Sequence, residues 1–371
     1  MINLSTLNPQ QRIAVENTEG PLLVLAGAGS GKTRVLTYRV AHLMEKGVPA
    51  WKILAITFTN KAAKEMAERV QALTGEAGSE AWISTFHACC ARILRRDIEK
   101  LGYKRQFAIY DEDDRMSVIK SVLKELNLGD KEYPPKAVKA AISDAKNRML
   151  SPDEWLRDVG DDFRNRKYYE AYRLYERTLR GNNALDFDDL LVKTLELLAE
   201  QPPVLEYYQN RFDYILVDEY QDTNRAQYEL VRLLTGKKRN LCVVGDDDQS
   251  IYGWRGADIR NILDFEKDFP DAKVVKLEQN YRSTGNILDA ANQVIAHNQG
   301  RKEKALWTQA GEGEKIALYH ALDERDEAAF IAAMTRKLIA HGARAGDVAV
   351  LYRTNAQSRV LEKLENGESD Q

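Results

Sequence analysis

The run Pro21-Leu22-Leu23-Val24-Leu25-Ala26-Gly27-Ala28-Gly29-Ser30-Gly31-Lys32-Thr33 ends in a lysine and a threonine set directly behind three spaced glycines. Those residue types in that order suit one chemistry, the holding of a phosphate chain. Glycines let successive backbone N–H groups turn inward around an anion, and the N-terminus of a following helix adds its positive end. Lys32 is then placed to meet the β and γ phosphates, and the Thr33 hydroxyl to ligate Mg²⁺. The strict pattern has glycine where this chain has Ala26, and an alanine fits there if its φ is negative. The alternative is an incidental glycine-rich turn. The apolar run before the loop and the helical pattern after it (Val35, Leu36, Tyr38, Arg39, Val40, Leu43) favour the phosphate loop.

Two further clusters carry matching chemistry. Leu216-Val217-Asp218-Glu219 sets two carboxylates at the end of an apolar run. Asp218 suits Mg²⁺, directly or through water, and Glu219 suits the orienting and deprotonation of an attacking water. Taken alone, the same pair could simply cap the next helix. Val244-Gly245-Asp246-Asp247-Asp248-Gln249-Ser250-Ile251-Tyr252-Gly253-Trp254-Arg255-Gly256 also follows an apolar run. Gln249 can hydrogen-bond a γ-phosphate or its water without carrying charge. Tyr252, Trp254 and Arg255 suit stacking on bases and contact with phosphates. Burial of Trp254 in the core is the alternative.

The elements that must position these residues alternate. Strand candidates at 22–26, 53–57 and 81–84 are each followed by a helical pattern, which predicts an α/β fold built on a parallel sheet. From 107 to 185 the pattern becomes helix after helix, and this stretch reads as a helical insertion. Asp111-Glu112-Asp113-Asp114 is placed to cap a helix burying Val118, Ile119, Val122, Leu123 and Leu126, and Ser151-Pro152-Asp153-Glu154 has capping-box spacing. The stripe Tyr168, Tyr169, Tyr172, Tyr175, Leu179 reads as core. A helix near 186–200 then leads to strands at 213–218, 241–245 and 273–277. After about 281 a second α/β unit is expected, with strands near 315–320 and 347–352. Two strands are too few for a doubly wound sheet, so the second unit is expected to be incomplete.

At 371 residues, 44% hydrophobic and 30% charged, the chain has the composition of a soluble protein of two or three units. No apolar run reaches the length of a membrane span, and the start has neither a basic nor an apolar leader segment. Three cysteines (Cys89, Cys90, Cys242) form no disulfide or metal spacing, which fits a reducing cytoplasm. A net charge of −3 leaves a nucleic-acid partner open, because net charge reports a sum and not a face.

Taken in order, Thr57-Phe58-Thr59-Asn60-Lys61-Ala62-Ala63, Ser84-Thr85-Phe86-His87, Asp218-Glu219-Tyr220-Gln221-Asp222, the stretch Gly245–Gly256 and Gln279-Asn280-Tyr281-Arg282-Ser283 resemble the motif series of the UvrD/Rep/PcrA group of superfamily-one DNA helicases. The resemblance runs from about Leu7 to Glu362. It implies RecA-like domains that sandwich ATP and Mg²⁺, each with an inserted helical subdomain. Its domain layout here would be 1–106 with 186–280 as the first RecA-like domain, 107–185 as the helical insertion, and 281–371 as the incomplete start of the second. It implies that Gln11 reads adenine, that Tyr281 stacks on it, and that Arg282 reaches the γ-phosphate. With Lys32, Glu219 and Gln249, Arg282 forms the implied catalytic set, and Arg34 joins the nucleotide contacts. Phe58, Asn60, His87, Tyr252, Trp254, Arg255, Arg353 and Asn355 would line a track for single-stranded DNA.

The activity so implied is 3′ to 5′ ATP-dependent translocation and duplex unwinding in DNA repair or replication, at single-strand/duplex junctions. Partners would be repair or replication proteins and the remainder of a helicase beyond residue 371. Two other readings stay open: an ATP-gated nucleic-acid-binding module without motor activity, and the motor part of a helicase–nuclease. A GTPase is set aside, because Asn60-Lys61-Ala62-Ala63 lacks the aspartate of a guanine-reading motif.

Overall fold

A computed structural model describes residues 2–253, 256–298 and 300–365. By packing, the chain divides into two compact units, Met1–Gly313 and Glu314–Gln371.

The first unit is built on a six-stranded sheet. Its strands are β1 (Leu22–Ala26), β2 (Ile53–Thr57), β3 (Trp82–Thr85), β6 (Tyr214–Val217), β7 (Leu241–Gly245) and β8 (Lys273–Leu277), in the spatial order β3-β2-β6-β7-β1-β8. Every pairing is parallel; Leu22 is in register with Cys242 on one side and Lys273 on the other. Successive strand residues face opposite sides, and the sequence supplies apolar side chains to both. Leu22, Val24 and Ala26 enter one core with α1 (Pro9–Glu16), α2 (Lys32–Glu45) and α3 (Asn60–Thr74). Leu23 and Leu25 enter the other, with α4 (Phe86–Asp97), α9 (Phe187–Glu200), α10 (Pro202–Arg211) and α11 (Arg225–Thr235). Continuous apolar strands are therefore covered on both faces, as expected.

The insertion folds as four helices: α5 (Glu112–Glu125), α6 (Pro135–Asn147), α7 (Pro152–Val159) and α8 (Phe163–Gly181). It has its own core, in which Ile119, Val122, Tyr172, Tyr175 and Leu179 are buried. The Asp111 and Ser151 caps form as their spacing predicts, each with a reciprocal capping box. Two short parallel strands, β4 (Ala108–Ile109) and β5 (Ala184–Leu185), pair at the neck where the chain leaves and re-enters the sheet domain.

Beyond β8, the short strand β9 (Gln279–Asn280) pairs in parallel with β10 (Trp307–Thr308), and both belong to the first compact unit. The second unit contains a long helix, Glu324–Ala340, and a shorter one, Ser358–Glu365. The strands expected near 315–320 and 347–352 do not form. An apolar run becomes a strand only where a neighbour takes up its N–H and C=O groups. Here Leu318 and Leu351 are exposed, and the Tyr319 ring stacks on Phe330 (centroids 3.9 Å apart) instead of lying over a sheet. No helix of the described residues is long and apolar enough to cross a membrane.

Candidate functional site

Because all six strands of the main sheet run parallel, every loop that follows a strand opens at the same edge, the place where open α/β sheets bind ligands. The phosphate-loop candidates follow β1, Asp218 and Glu219 follow β6, Gln249 follows β7, and Tyr281 and Arg282 follow β9. Phe58 and Asn60 follow β2, and His87 follows β3, on the other half of that edge.

The loop after β1 has the predicted geometry. Ala26 ends the strand in register with Leu277 and is absent from the positive-φ residues, so alanine is tolerated there. Gly29 and Gly31 have φ of +67° and +89°, which β-carbon-bearing residues rarely adopt. Close approaches demand small residues as well. A Cβ on Gly27 would lie 2.1 Å from the Leu306 side chain, and one on Gly29 2.8 Å from Arg282 Cβ. The loop is tied down from three sides. Ser30 Oγ donates to the Gly27 carbonyl (2.7 Å), Asn280 Nδ2 to the Ala28 carbonyl (2.6 Å), and Gln11 Nε2 to the Ser30 carbonyl (2.9 Å). Helix α2 starts at Lys32.

The Lys32 ammonium donates to Glu219 Oε2 at 2.8 Å. Glu219 sits in the left-handed region (φ 49°), a backbone cost of about 1–3 kcal/mol for a non-glycine residue, of the kind that collects at working sites. Gln221 Nε2 donates to the same Glu219 oxygen (2.9 Å), and Gln221 Oε1 accepts from the Asp246 backbone N–H (3.0 Å). Gln249 Nε2 donates in turn to Asp246 Oδ2. One chain of contacts therefore runs Lys32–Glu219–Gln221–Asp246–Gln249. Asp218 lies beside it, buried, accepting from the Glu219 N–H (3.0 Å). Burial first, and then the neighbouring Glu219 charge, push the Asp218 carboxyl up to about 7. Such a carboxylate gains from a nearby cation. The donors on offer, the Asp218 carboxylate and the Thr33 hydroxyl, are hard oxygens of the type Mg²⁺ takes.

The remaining nucleotide candidates fall around this centre. Gln11 is buried, and its Oε1 accepts from the Asn8 N–H, so both ends of its amide are engaged in holding α1 and the phosphate loop. Asn8 Nδ2 reaches the Tyr281 hydroxyl at 2.9 Å, which brings the helix of Gln11 and the exposed ring of Tyr281 into one network. Arg282 is exposed against the loop at Gly29, its N–H donating to Asn280 Oδ1 (2.8 Å). Arg34 donates to the Thr6 carbonyl (3.1 Å) and lies over the Tyr38 ring.

On the β2/β3 half of the edge, Phe58 packs edge-on against Phe86 (5.5 Å) and is half-buried, while Asn60 is exposed in the first turn of α3. His87 meets Phe187 edge-on (5.9 Å), and burial pushes its imidazole below the ordinary value against the pull of Asp188. Tyr252 lies in the loop after β7 and its carbonyl accepts from the Ala257 N–H (3.2 Å). Trp254 and Arg255 lie outside the described residues. Arg353 and Asn355 lie exposed in the second unit, in a turn whose N–H groups at Arg353 and Thr354 are capped by Gln357.

Gln221, Asp246 and Asn280 were not singled out from the sequence as site residues. All three stand inside the motifs quoted above, and that is the available signal. Lys304, described below, stands in the charged run Arg301-Lys302-Glu303-Lys304 and belongs to none of the motifs quoted above.

Comparison with known proteins places the sequence firmly. Residues 7–270 match the family model of the UvrD/REP helicase N-terminal domain, and residues 275–366 that of the UvrD-like helicase C-terminal domain. The chain is 55% identical over 361 residues to the ATP-dependent DNA helicase PcrA of Staphylococcus epidermidis, covering 97% of this chain and 49% of the relative. It is 56% identical over 361 residues to the protein of the same name in Staphylococcus aureus, with the same coverage on both sides. The chain thus spans about half the length of the curated relatives it matches.

Proposed function

The chain belongs to the UvrD/REP helicase family, and from that premise we propose that it is an ATP-hydrolysing part of a DNA translocase that acts on single-stranded DNA. The observation that carries this reading is the contact chain Lys32–Glu219–Gln221–Asp246–Gln249 beside a glycine loop and the buried Asp218. In this reading Lys32, released from Glu219, meets the β and γ phosphates of ATP. Thr33 and Asp218 would hold Mg²⁺, which would supply positive charge against the phosphates. Glu219, freed of Lys32, orients and takes a proton from the attacking water, while Gln249 reports the state of the γ-phosphate. Arg282 supplies positive charge from the far side of the loop, and Gln11 and Tyr281 frame the base.

In the first unit, contact with DNA is proposed for Phe58, Asn60, His87, Tyr252, Trp254 and Arg255; for the second unit it is proposed separately, at Arg353 and Asn355. Its support is that Phe58, Asn60 and His87 share the sheet edge with the nucleotide residues. A neutral His87 suits hydrogen bonding more than ion pairing. The functional division we propose is 1–106 with 186–280, the insertion 107–185, and a second motor segment from 281. Duplex unwinding, work at single-strand/duplex junctions, and repair or replication partners belong to the same proposal for the whole protein. ATP turnover measured with and without single-stranded DNA tests it: stimulation by the strand is expected. ATP binding with no effect of DNA on turnover would favour the passive binding module.

A further inference from the structure

Three consecutive aspartates, Asp246, Asp247 and Asp248, lie close enough to hold a cation, and the cation they hold is a lysine. Lys304 Nζ lies 2.8 Å from Asp246 Oδ1, 2.5 Å from Asp247 Oδ1 and 2.6 Å from Asp248 Oδ2. Its side chain is only 2% exposed. The segment that carries it is pinned on both sides. Arg301 donates to Asp248 Oδ2 (2.9 Å) and the Lys302 N–H to Asp247 Oδ2 (2.8 Å). The Ala305 N–H donates to Glu278 Oε1 (3.1 Å), and Leu306 packs on Gly27 of the phosphate loop.

One of the three carboxylates faces two ways. Asp246 gives Oδ1 to Lys304 and Oδ2 to the Gln249 amide. A carboxylate can only accept, so it decides which end of that amide it meets: the NH₂ end turns to Asp246 and the carbonyl oxygen is left to face away. Asp247 and Asp248 share Lys304 but make no described contact with Gln249, so the other two arms of the cluster are anchors. The lysine thus comes from beyond β9, within the stretch matched by the C-terminal family model, and fixes a residue after β7, within the N-terminal one.

We propose that Lys304 is a positioning residue for nucleotide turnover, holding Asp246 in place and, through it, setting the orientation of the Gln249 amide. The inference rests on the ATP-hydrolysing reading above. It deepens that reading by adding a lysine that lies outside the motif series and touches neither the phosphate loop nor Glu219. Loss of the ammonium should leave the phosphate loop able to bind nucleotide while the amide that meets the γ-phosphate loses its fixed direction.

The test uses the chain itself, with equilibrium binding of Mg-ATP, single-turnover hydrolysis of radiolabelled ATP, and melting temperature read side by side. Lys304→Met should keep Mg-ATP affinity within about threefold and slow hydrolysis by about 10- to 100-fold, the scale of a misplaced catalytic group. Asp246→Asn, which removes one carboxylate and leaves the lysine two others, should slow hydrolysis similarly with near-wild-type melting. The double variant should be no slower than the slower single one, because both act through the same amide. Lys304→Arg, which keeps a cation, should recover at least about threefold of the loss. Hydrolysis at the wild-type rate in Lys304→Met, or additive losses in the double variant, would overturn the proposal. If Lys304→Met does not fold, Asp246→Asn with unchanged turnover overturns it equally. A wild-type chain that fails to bind or hydrolyse Mg-ATP would overturn the functional reading first, and is told apart by failing before any substitution is made.

Discussion

Two lysines of the first unit each have a side chain 2% exposed and lie within 3.0 Å of three carboxylates. Lys146, in α6 of the insertion, meets Glu176, Asp186 and Asp189 at the neck. Lys304 meets Asp246, Asp247 and Asp248 at the crevice. Burial alone would lower both ammonium groups, but the surrounding carboxylates outweigh it and raise them, so both are charged at neutral pH. The difference lies in what the carboxylates touch next. At the neck they return to structural groups: Asp186 caps α9 and accepts from the Tyr175 hydroxyl (2.8 Å), and Asp189 completes the capping box. At the crevice Asp246 goes on to Gln249. The same charge motif therefore fastens the insertion in one place and aims an amide in the other.

Substitutions separate the two roles. The largest effect is expected at the crevice, at Glu219. Glu219→Gln keeps shape and loses basicity, so Mg-ATP binding should persist while hydrolysis falls by about 10²–10⁴-fold, the usual worth of a general base. Stability should not fall with it. Turnover equal to wild type would remove Glu219 from its assigned role.

Next in size is the neck. Lys146→Met removes the cation that Glu176, Asp186 and Asp189 share and leaves Asp186 only the longer contact to Arg115 (3.5 Å); losing one partner of a buried pair typically costs about 3–5 kcal/mol. Denaturant unfolding should show that loss while the folded fraction binds Mg-ATP as before. A Lys146→Met chain that kept its stability but lost ATP binding would reverse the roles given to the two lysines.

A smaller effect is expected on the DNA side. Trp254→Ala should weaken single-stranded DNA binding by about 1–3 kcal/mol, the value of one base–aromatic stack, with melting unchanged. A sharp drop in melting with DNA affinity intact would assign that ring to the core. Smallest of all is the link between the neck and the crevice. Asn147, next to Lys146, accepts from Asn224 Nδ2 (2.8 Å) ahead of α11. Asn147→Ala should cost about 0.5–1.5 kcal/mol of stability and leave turnover alone, if the neck is a fastening and nothing more.

What the sequence made legible, and what it hid, divides along the same line. Local patterns were readable because the physics behind them is local. The apolar strands from 22 to 277 and the caps at Asp111 and Ser151 formed as their spacing predicts, and the glycine loop followed β1 as expected. Long-range partners were not readable. Lys146 lies on a helix and Lys304 in a charged run, and nothing local in either stretch shows the carboxylates that the fold brings from 30 or more residues away. The strands expected near 315–320 and 347–352 failed for the converse reason: their apolar pattern was local, but a strand needs a neighbour, and Leu318 and Leu351 stand exposed. Motif residues such as Gln221 and Asn280 fall between. Their presence was visible, while their tasks, bridging Glu219 to Asp246 and fastening the phosphate loop, depend on the crevice being assembled.

In the proposed function, the parallel strand ends assemble one ATP site around Lys32, Asp218 and Glu219. Equilibrium binding of a fluorescent ATP analogue with Mg²⁺ tests it most directly, on the wild-type chain and on Lys32→Ala. The predicted result is saturable binding at one site per chain, abolished or severely weakened in Lys32→Ala because the charge facing the β and γ phosphates is gone. Wild-type-like binding by Lys32→Ala, or no saturable binding by the wild-type chain, would contradict the account.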